Sequence, residues 1–176
     1  MLNVKNPDQY KSKKILNYDS AIDIIFRLKS KKKKVGMCHG GFDLIHPGHI
    51  IHFESAKKLC DVLFVSITSD KFVSINKGGG RPIYTDTLRA YCTASIEFVD
   101  YVLISDFRTA VEPIKLLKPD YYIKGPDYIK DSTEIINSER KSVESVGGEI
   151  LYTKDPKLST TYIIQYIRRI NSGLKS

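Results

Sequence analysis

Cysteine is scarce in this chain, with three among 176 residues, and all three stand apart without a Cys-x-x-Cys pair. That spacing supplies no paired thiolates for a zinc site, and an odd number of isolated cysteines predicts reduced thiols in a cytoplasmic protein. The chain also lacks the run of about 18 apolar residues that a membrane-spanning helix needs, and its start shows no secretory signal pattern. These absences favour a compact cytoplasmic protein that does not cross a membrane.

Positive charge is unevenly distributed. The net charge is +8, but residues 1–34 hold ten Lys or Arg and three Asp, so residues 35–176 carry only +1. A basic N-terminal extension with one helix is predicted over residues 1–33, because Ser20–Phe26 opens with a capping-box pattern. The lysine-rich run that follows is interpreted as a solvated helix end, with phosphate steering or an acidic partner as the alternative. The near-neutral remainder argues against a nucleic-acid partner.

Apolar runs typical of strands alternate with helical patterns over the rest of the chain. The runs are Val35–Cys38, Val62–Ile67, Tyr101–Ile104, Tyr121–Ile123 and Glu149–Tyr152. This alternation predicts an α/β fold, a Rossmann-like doubly wound parallel sheet of about five strands with helices on both faces. We assign this domain to residues 34–171, followed by a tail at 172–176.

All four histidines fall within fourteen positions, and two of them follow a glycine turn. The turn is Gly40-Gly41-Phe42-Asp43, and the helix after it begins with His46-Pro47-Gly48-His49. A strand, a glycine turn and a helix start together place backbone N–H groups where they bind phosphate. His46 and His49 are three apart, so both imidazoles can donate to phosphate oxygens as charge develops in a transition state. Gly48 between them leaves space for a phosphate, and the pattern predicts nucleotidyl transfer.

The same residues allow two other interpretations of the histidine pair. The pair could lie on the surface or form half of a metal site, but glycines and proline are costly choices for an ordinary helix start. No third ligand has suitable spacing, so no protein-held metal is predicted. His39 is expected to end the strand and His52 to decorate the helix, without catalytic roles.

Three further segments carry candidate phosphate or base contacts. Lys77 lies on a glycine-rich loop that can close over a substrate, or that is an ordinary solvated turn. Lys124-Gly125 ends a short buried strand, where ligands bind in open α/β sheets, and Asp127 follows as an acceptor. Ser159-Thr160-Thr161 precede a helix, either as simple caps or as caps that also donate to phosphate.

The pattern Gly-x-Phe-Asp-x-x-His-x-Gly-His at 40–49 resembles the cytidylyltransferase-like nucleotidyltransferase family. The segments Lys77–Pro82 with Arg89, Lys124–Tyr128 and Leu158–Thr161 resemble, in order, the branch that activates heptose 1-phosphate with ATP. The likeness extends from about Lys34 to Ile170. The arginine that glycerol-phosphate cytidylyltransferases carry before the Ser-Thr-Thr element is absent from 154–158, which favours ATP.

The resemblance implies adenylyl transfer from ATP, with Mg²⁺ bound through the triphosphate, to a sugar 1-phosphate with release of pyrophosphate. We expect His46, His49, Lys77 and Lys124 to be catalytic and Asp70 to orient the sugar phosphate. The expected nucleotide-binding residues are Gly40, Gly41, Phe42, Asp43, Gly48, Arg89, Gly125, Asp127, Ser159, Thr160 and Thr161. A homodimer is implied as well. The alternatives are a cytidylyltransferase that uses CTP and glycerol 3-phosphate or another phosphorylated alcohol, and a non-catalytic nucleotide- or nucleic-acid-binding protein.

Overall fold

The computed structural model describes residues 4, 6, 9–131, 133–156 and 158–173. Its centre is one parallel sheet with the strand order β1-β4-β3-β2-β5-β6. The strands are β1 Ile15–Leu16, β2 Val35–Gly40, β3 Val62–Thr68, β4 Tyr101–Ser105, β5 Tyr121–Lys124 and β6 Glu149–Tyr152. The predicted parallel α/β sheet is confirmed, with one short edge strand, β1, beyond the five that were predicted.

Helices cover both faces of the sheet. They are α1 Tyr18–Ser30, α2 Pro47–Lys57, α3 Asp70–Lys77, α4 Asp86–Ala94, α5 Val111–Leu117, α6 Glu134–Ser145 and α7 Thr160–Gly173, with a 3-10 turn at Pro126–Tyr128. Among the described residues, no helix is both long and apolar enough to span a membrane. The last residues of the predicted tail, 174–176, lie outside the described part of the chain.

Alternating side chains of the strands fill two hydrophobic cores. In β3, Val65 packs on the α2 and α4 side with Phe53 and Ala94, whereas Phe64 packs on the opposite side with Ile25 and Ile114. Successive strand residues point to opposite faces, so a strand buried on both sides must be apolar at every position. This explains why the central strands appear in the sequence as continuous apolar runs.

The N-terminal segment is part of the same fold. Ile15 and Leu16 pair with Val102 and Leu103 at the edge of the sheet, and α1 buries Ala21 and Ile25 against it. The predicted basic extension therefore contributes one strand to the sheet and one helix that packs against it.

The strand order places a crevice above the middle of the sheet. β2 has β3 on one side and β5 on the other, so successive connections leave in opposite directions from this point. Open α/β sheets bind ligands outside the carboxyl ends of the strands at such a switch point. The glycine turn after β2 and Lys124 at the end of β5 both lie there.

Candidate active site

Two imidazoles stack at the start of α2. His46 is the N-cap residue of the helix and Pro47 its first residue. The His46 and His49 rings lie 3.7 Å apart between centroids and 19° from parallel, and the edge of Phe42 contacts His49 at 5.3 Å. The two predicted histidines therefore form one stacked unit, and Phe42 of the glycine turn packs against His49.

Both imidazoles are neutral near pH 7. Burial lowers the pKa of His46, and burial together with the neighbouring His46 and Lys77 lowers the pKa of His49 to about 3. Both ring nitrogens of His46 and Nδ1 of His49 are buried without a hydrogen-bond partner among the described residues. A neutral imidazole has one N–H donor, and buried polar groups are usually paired. These nitrogens are therefore suited to a ligand.

Lys77 brings its ammonium to the glycine turn. Nζ lies 3.6 Å from the place that a Cβ on Gly41 would occupy, an ordinary van der Waals distance. The residue as a whole is exposed, while partial burial of its amino group and the nearby Arg81 lower the pKa of Lys77. After Lys77, Gly78 and Gly80 adopt positive φ in open space, as expected of a glycine-rich loop.

Lys124 stands at the carboxyl end of β5 within a buried polar network. Its Nζ is 3.3 Å from Oε2 of Glu139 and donates to the Tyr122 hydroxyl at 3.3 Å. It also lies 3.9 Å from the centroid of the Tyr128 ring. Glu139 accepts from the Ala110 backbone N–H at 3.0 Å as well. The carboxylate thus fixes the lysine and the loop after β4 together.

A cavity of about 270 Å³ collects most of the predicted site. Its predicted lining residues are Gly40, Gly41, Phe42, Gly48, His49, Lys77, Lys124, Gly125 and Asp127. His46 is not in the lining but stacks on His49. A Cβ on Gly48 would come within 2.9 Å of Leu158 and 3.1 Å of His46, so only glycine allows this close approach.

Three predicted contact residues have internal partners instead. Arg89 is fully buried and donates to the Tyr84 carbonyl at 3.1 Å, to the Gly41 carbonyl and to Asp70 at 2.8 Å. Asp43 is buried and accepts from the backbone N–H of Ile83. None of Arg89, Asp70 and Asp43 lines the cavity. Arg89 donates to the carbonyl of Gly41, and direct nucleotide contacts of Arg89 and Asp43, like the sugar-phosphate contact of Asp70, stay predictions.

The Ser-Thr-Thr element begins α7. The Ser159 hydroxyl accepts from the Tyr162 N–H at 3.2 Å, as a simple helix cap does. Thr160 is buried and donates to the Leu44 carbonyl at 3.4 Å. Thr161 lines a neighbouring cavity of about 510 Å³ together with Lys77 and Arg168. Phosphate contact by these three hydroxyls stays a prediction.

Two histidines without a predicted role also line the main cavity. His39 lies 3.1 Å from the Ser66 hydroxyl and 3.3 Å from that of Thr68, and burial lowers its pKa to about 4. His52 Nδ1 is 3.0 Å from the Thr153 hydroxyl. The sequence held a signal for each, since His39 precedes the glycine turn and His52 follows His49 by three residues on the same helix face.

The cytidylyltransferase-like family model matches residues 37–166. Among curated proteins, "Bifunctional protein HldE" of Campylobacter jejuni strain RM1221 is 36% identical over 165 residues, which cover 92% of this chain and 34% of that protein. The protein of the same name from Geobacter metallireducens is 38% identical over 157 residues, covering 89% of this chain and 31% of that protein. The chain thus spans about a third of the length of these relatives.

Solved structures share the fold. A lipopolysaccharide core biosynthesis protein from Thermoplasma volcanium superposes with a TM-score of 0.59 at 23% identity, over 71% of this chain and 99% of that one. The pantoate-beta-alanine ligase of Francisella tularensis was solved with beta-gamma ATP and beta-alanine. It superposes with a TM-score of 0.58 at 18% identity, over 82% of this chain and 67% of that one. With the family model spanning most of the sheet and the whole of the His46–His49 region, the chain belongs to the cytidylyltransferase-like family.

Proposed function

We propose that this protein transfers the adenylyl group of ATP to a sugar 1-phosphate of the heptose 1-phosphate type and releases pyrophosphate. One observation carries the proposal: His49, on which His46 stacks, lines the same cavity as the glycine turn, Lys77 and Lys124. Neutral N–H donors, a helix start and two ammonium groups form an environment for a polyphosphate.

In the proposed reaction, an oxygen of the acceptor phosphate attacks the α-phosphorus of ATP in line. A new P–O bond forms as the bond from the α-phosphorus to the bridging oxygen of the β-phosphate breaks, and pyrophosphate leaves with that electron pair. No general base is required, because a phosphate dianion is already a nucleophile near pH 7. Catalysis then comes from positioning and from stabilising the developing charge.

The residues divide this work by their positions. His46 and His49 donate hydrogen bonds to the α- and β-phosphate oxygens, while Lys77 and Lys124 balance the negative charge from opposite sides of the cavity. The N–H groups of the glycine turn bind the phosphates. We assign the γ-phosphate to the cap residues at 159–161, because the start of a helix favours an anion.

Magnesium belongs to the substrate in this proposal. Among the described residues, no group of three or more His, Cys, Asp or Glu side chains is placed to hold a metal ion. Two carboxylates, Asp127 and Asp155, line the cavity beside three histidines and two lysines, and Mg²⁺ is usually bound through substrate phosphates with one or two carboxylates. Mg²⁺ would therefore enter on the triphosphate and supply charge neutralisation.

The preference for ATP rests on the part of the cavity wall formed by residues that follow β5 and β6. Thr153, Asp155, Pro156 and Leu158 line the cavity together with Gly125 and Asp127, and the arginine associated with cytidylyl transfer is absent from the sequence at 154–158. The relatives named Bifunctional protein HldE support the same choice. A homodimer and a cytoplasmic location complete the proposal.

The test is pyrophosphate release from each nucleoside triphosphate over a panel of sugar 1-phosphates and phosphorylated alcohols. We expect the highest kcat/KM with ATP and a heptose-like 1-phosphate. Preference for CTP with glycerol 3-phosphate would replace the adenylyl assignment by the cytidylyl one. Absence of pyrophosphate with every acceptor, together with salt-dependent binding to DNA or RNA, would support a non-catalytic protein instead.

A further inference from the structure

A second cavity of about 250 Å³ adjoins the nucleotide cavity at the carboxyl ends of β3 and β4. The two cavities share His39, Gly40, Gly41, Lys124 and Tyr128 as a common wall. The second cavity is nearly as large as the first, which has a volume of about 270 Å³. A ligand that occupied it would meet a nucleotide in the first cavity across Lys124.

The far side of the second cavity carries an arginine with unused donors. Arg108 lies on the loop between β4 and α5, and its Nε donates to the amide oxygen of Asn76 at 3.4 Å. In the described part of the chain, its two terminal guanidinium nitrogens have no hydrogen-bond partner. Asn76 precedes Lys77 at the end of α3. The planar guanidinium of Arg108 and the amide of Asn76 together present several N–H donors, which match the oxygens of neighbouring hydroxyl groups.

Most of the remaining lining is polar and already held in place. The Thr68 hydroxyl lies 3.3 Å from His39 Nε2, and Glu139 is fixed by Lys124 and by the Ala110 N–H. Apart from Tyr128 in the common wall, no aromatic ring lines this cavity among the described residues. Such a lining offers hydrogen bonds to hydroxyl groups and little stacking surface for a second base.

We propose that this cavity holds the sugar of the acceptor, with Arg108 and Asn76 as specificity-determining residues that donate to its hydroxyl groups. The acceptor phosphate then lies at Lys124, the place where the two cavities meet and where it faces the α-phosphorus. This inference rests on the proposed function and assigns its acceptor side. It also moves the acceptor away from Asp70, which is paired with Arg89 and lies in neither cavity.

The test compares acceptor kinetics of the full chain with those of Arg108→Ala, Arg108→Lys and Asn76→Ala. Loss of a charged donor to substrate costs about tenfold or more in affinity. We expect Arg108→Ala to raise KM for the sugar 1-phosphate by about that factor, with KM for ATP unchanged. Selectivity for the sugar over glycerol 3-phosphate should fall as well. Arg108→Lys should recover part of the loss, and Asn76→Ala should show the same pattern more weakly.

Arg169→Ala is the matched control, because Arg169 is exposed on α7 and lines neither cavity. It should leave every constant unchanged. An active wild-type chain whose acceptor KM and selectivity do not respond to Arg108→Ala would overturn this inference and leave the proposed function intact. A wild-type chain that accepts no sugar 1-phosphate at all would overturn both. Thermal melting of each variant distinguishes loss of the fold from loss of binding. If Arg108→Ala unfolds, Asn76→Ala still tests the inference.

Discussion

Histidine chemistry in this protein is decided by burial. His39, His46, His49 and His52 all have a pKa below the ordinary 6.5, and desolvation is the first cause in each case. A neutral imidazole repels no ammonium group, so Lys77 can approach the stacked pair. A neutral imidazole can also donate its N–H to a phosphate oxygen while it stays uncharged. We therefore expect His46 and His49 to act as hydrogen-bond donors rather than as acids and bases.

His49→Ala should lower kcat by about a hundredfold, the usual effect of removing one donor to developing charge. The dissociation constant of ATP should rise by a much smaller factor, because the contact strengthens mainly in the transition state. Steady-state kinetics and calorimetric ATP binding measure the two effects. His49→Asn, which keeps an N–H donor, should retain more of the rate. Equal losses in rate and binding would make His49 a ground-state contact, and an unchanged rate would remove it from the site.

The depressed pKa values predict acid sensitivity of the fold. The pKa of His39 is about 4 and that of His49 about 3 in the folded protein, against 6.5 as the ordinary value. Below pH 6.5 these two histidines therefore bind protons in the unfolded chain but stay neutral in the folded protein. The free energy of unfolding falls as a result. The stability is complete above pH 6.5 and is lost as the pH falls toward 4 and then 3. Each histidine contributes at most about 1.4 kcal/mol per pH unit in this window.

Urea unfolding at pH 7 and pH 5 measures this loss, and His39→Asn is the variant to compare. Asparagine does not titrate, so its free energy of unfolding should depend less steeply on pH than that of the wild type. Identical pH slopes for the two proteins would contradict the assignment of a buried neutral His39.

Helix α2 is the element that organises the site. It carries His49 and His52 on the face toward the cavity, and Gly48 lets it approach Leu158. One turn after His52, the Ser55 hydroxyl donates to Asp155 at 2.7 Å. The helix therefore holds the His46–His49 pair at its start and the wall formed by Thr153, Asp155, Pro156 and Leu158 along its side.

Ser55→Ala should loosen the wall that contains Asp155. Loss of one hydrogen bond of about 1 kcal/mol predicts a roughly fivefold rise in KM for ATP, with kcat much less affected because the imidazole pair is untouched. Ser95→Ala serves as control, since that hydroxyl bonds only to Tyr91 within its own helix at 2.9 Å. If KM for ATP stays the same in Ser55→Ala, the wall does not contribute to nucleotide binding.

What could be predicted from the sequence depended on how local each signal is. The five longer strands are continuous apolar runs, and the glycine turn with His46 and His49 lies within ten residues, so both were predictable. The two-residue strand β1 is too short for periodicity, and its partner Val102 is far along the chain. Glu139 and Asp155 are ordinary charged residues until the fold brings them to Lys124 and Ser55. The pairing of Arg89 with Asp70 likewise joins residues that no local pattern connects.

On the scale of the whole molecule, the basic run at residues 31–34 and the proposed site lie at opposite ends of the strands. Residues 31–34 connect α1 to the amino end of β2, whereas the cavity is at the carboxyl end of that strand. Six residues of strand separate them by about 20 Å, more than twice the screening length of about 8 Å at physiological salt. Lys33 and Lys34 also pair with Asp61 and Asp120 at 3.0 and 3.7 Å.

Reversing charge in this run should therefore leave catalysis intact. The double substitution Lys31→Glu and Lys32→Glu is expected to change kcat/KM for ATP by less than about twofold at physiological salt, given that screening length. Lys77→Ala, which removes an ammonium at the cavity, should lower kcat under the same conditions. A large, salt-dependent fall in kcat/KM for the double variant would restore phosphate steering as a role of the basic run.

The central claim is nucleotidyl transfer, and the fate of the α-phosphate tests it most directly. The protein would be incubated with Mg²⁺, a heptose-like sugar 1-phosphate and ATP labelled at either the α- or the γ-phosphorus, and the products separated. We predict that the α-label appears in the sugar nucleotide and the γ-label in pyrophosphate, with both transfers lost or greatly slowed in His49→Ala. Appearance of the γ-label on the sugar, or of the α-label only in free AMP, would contradict the account.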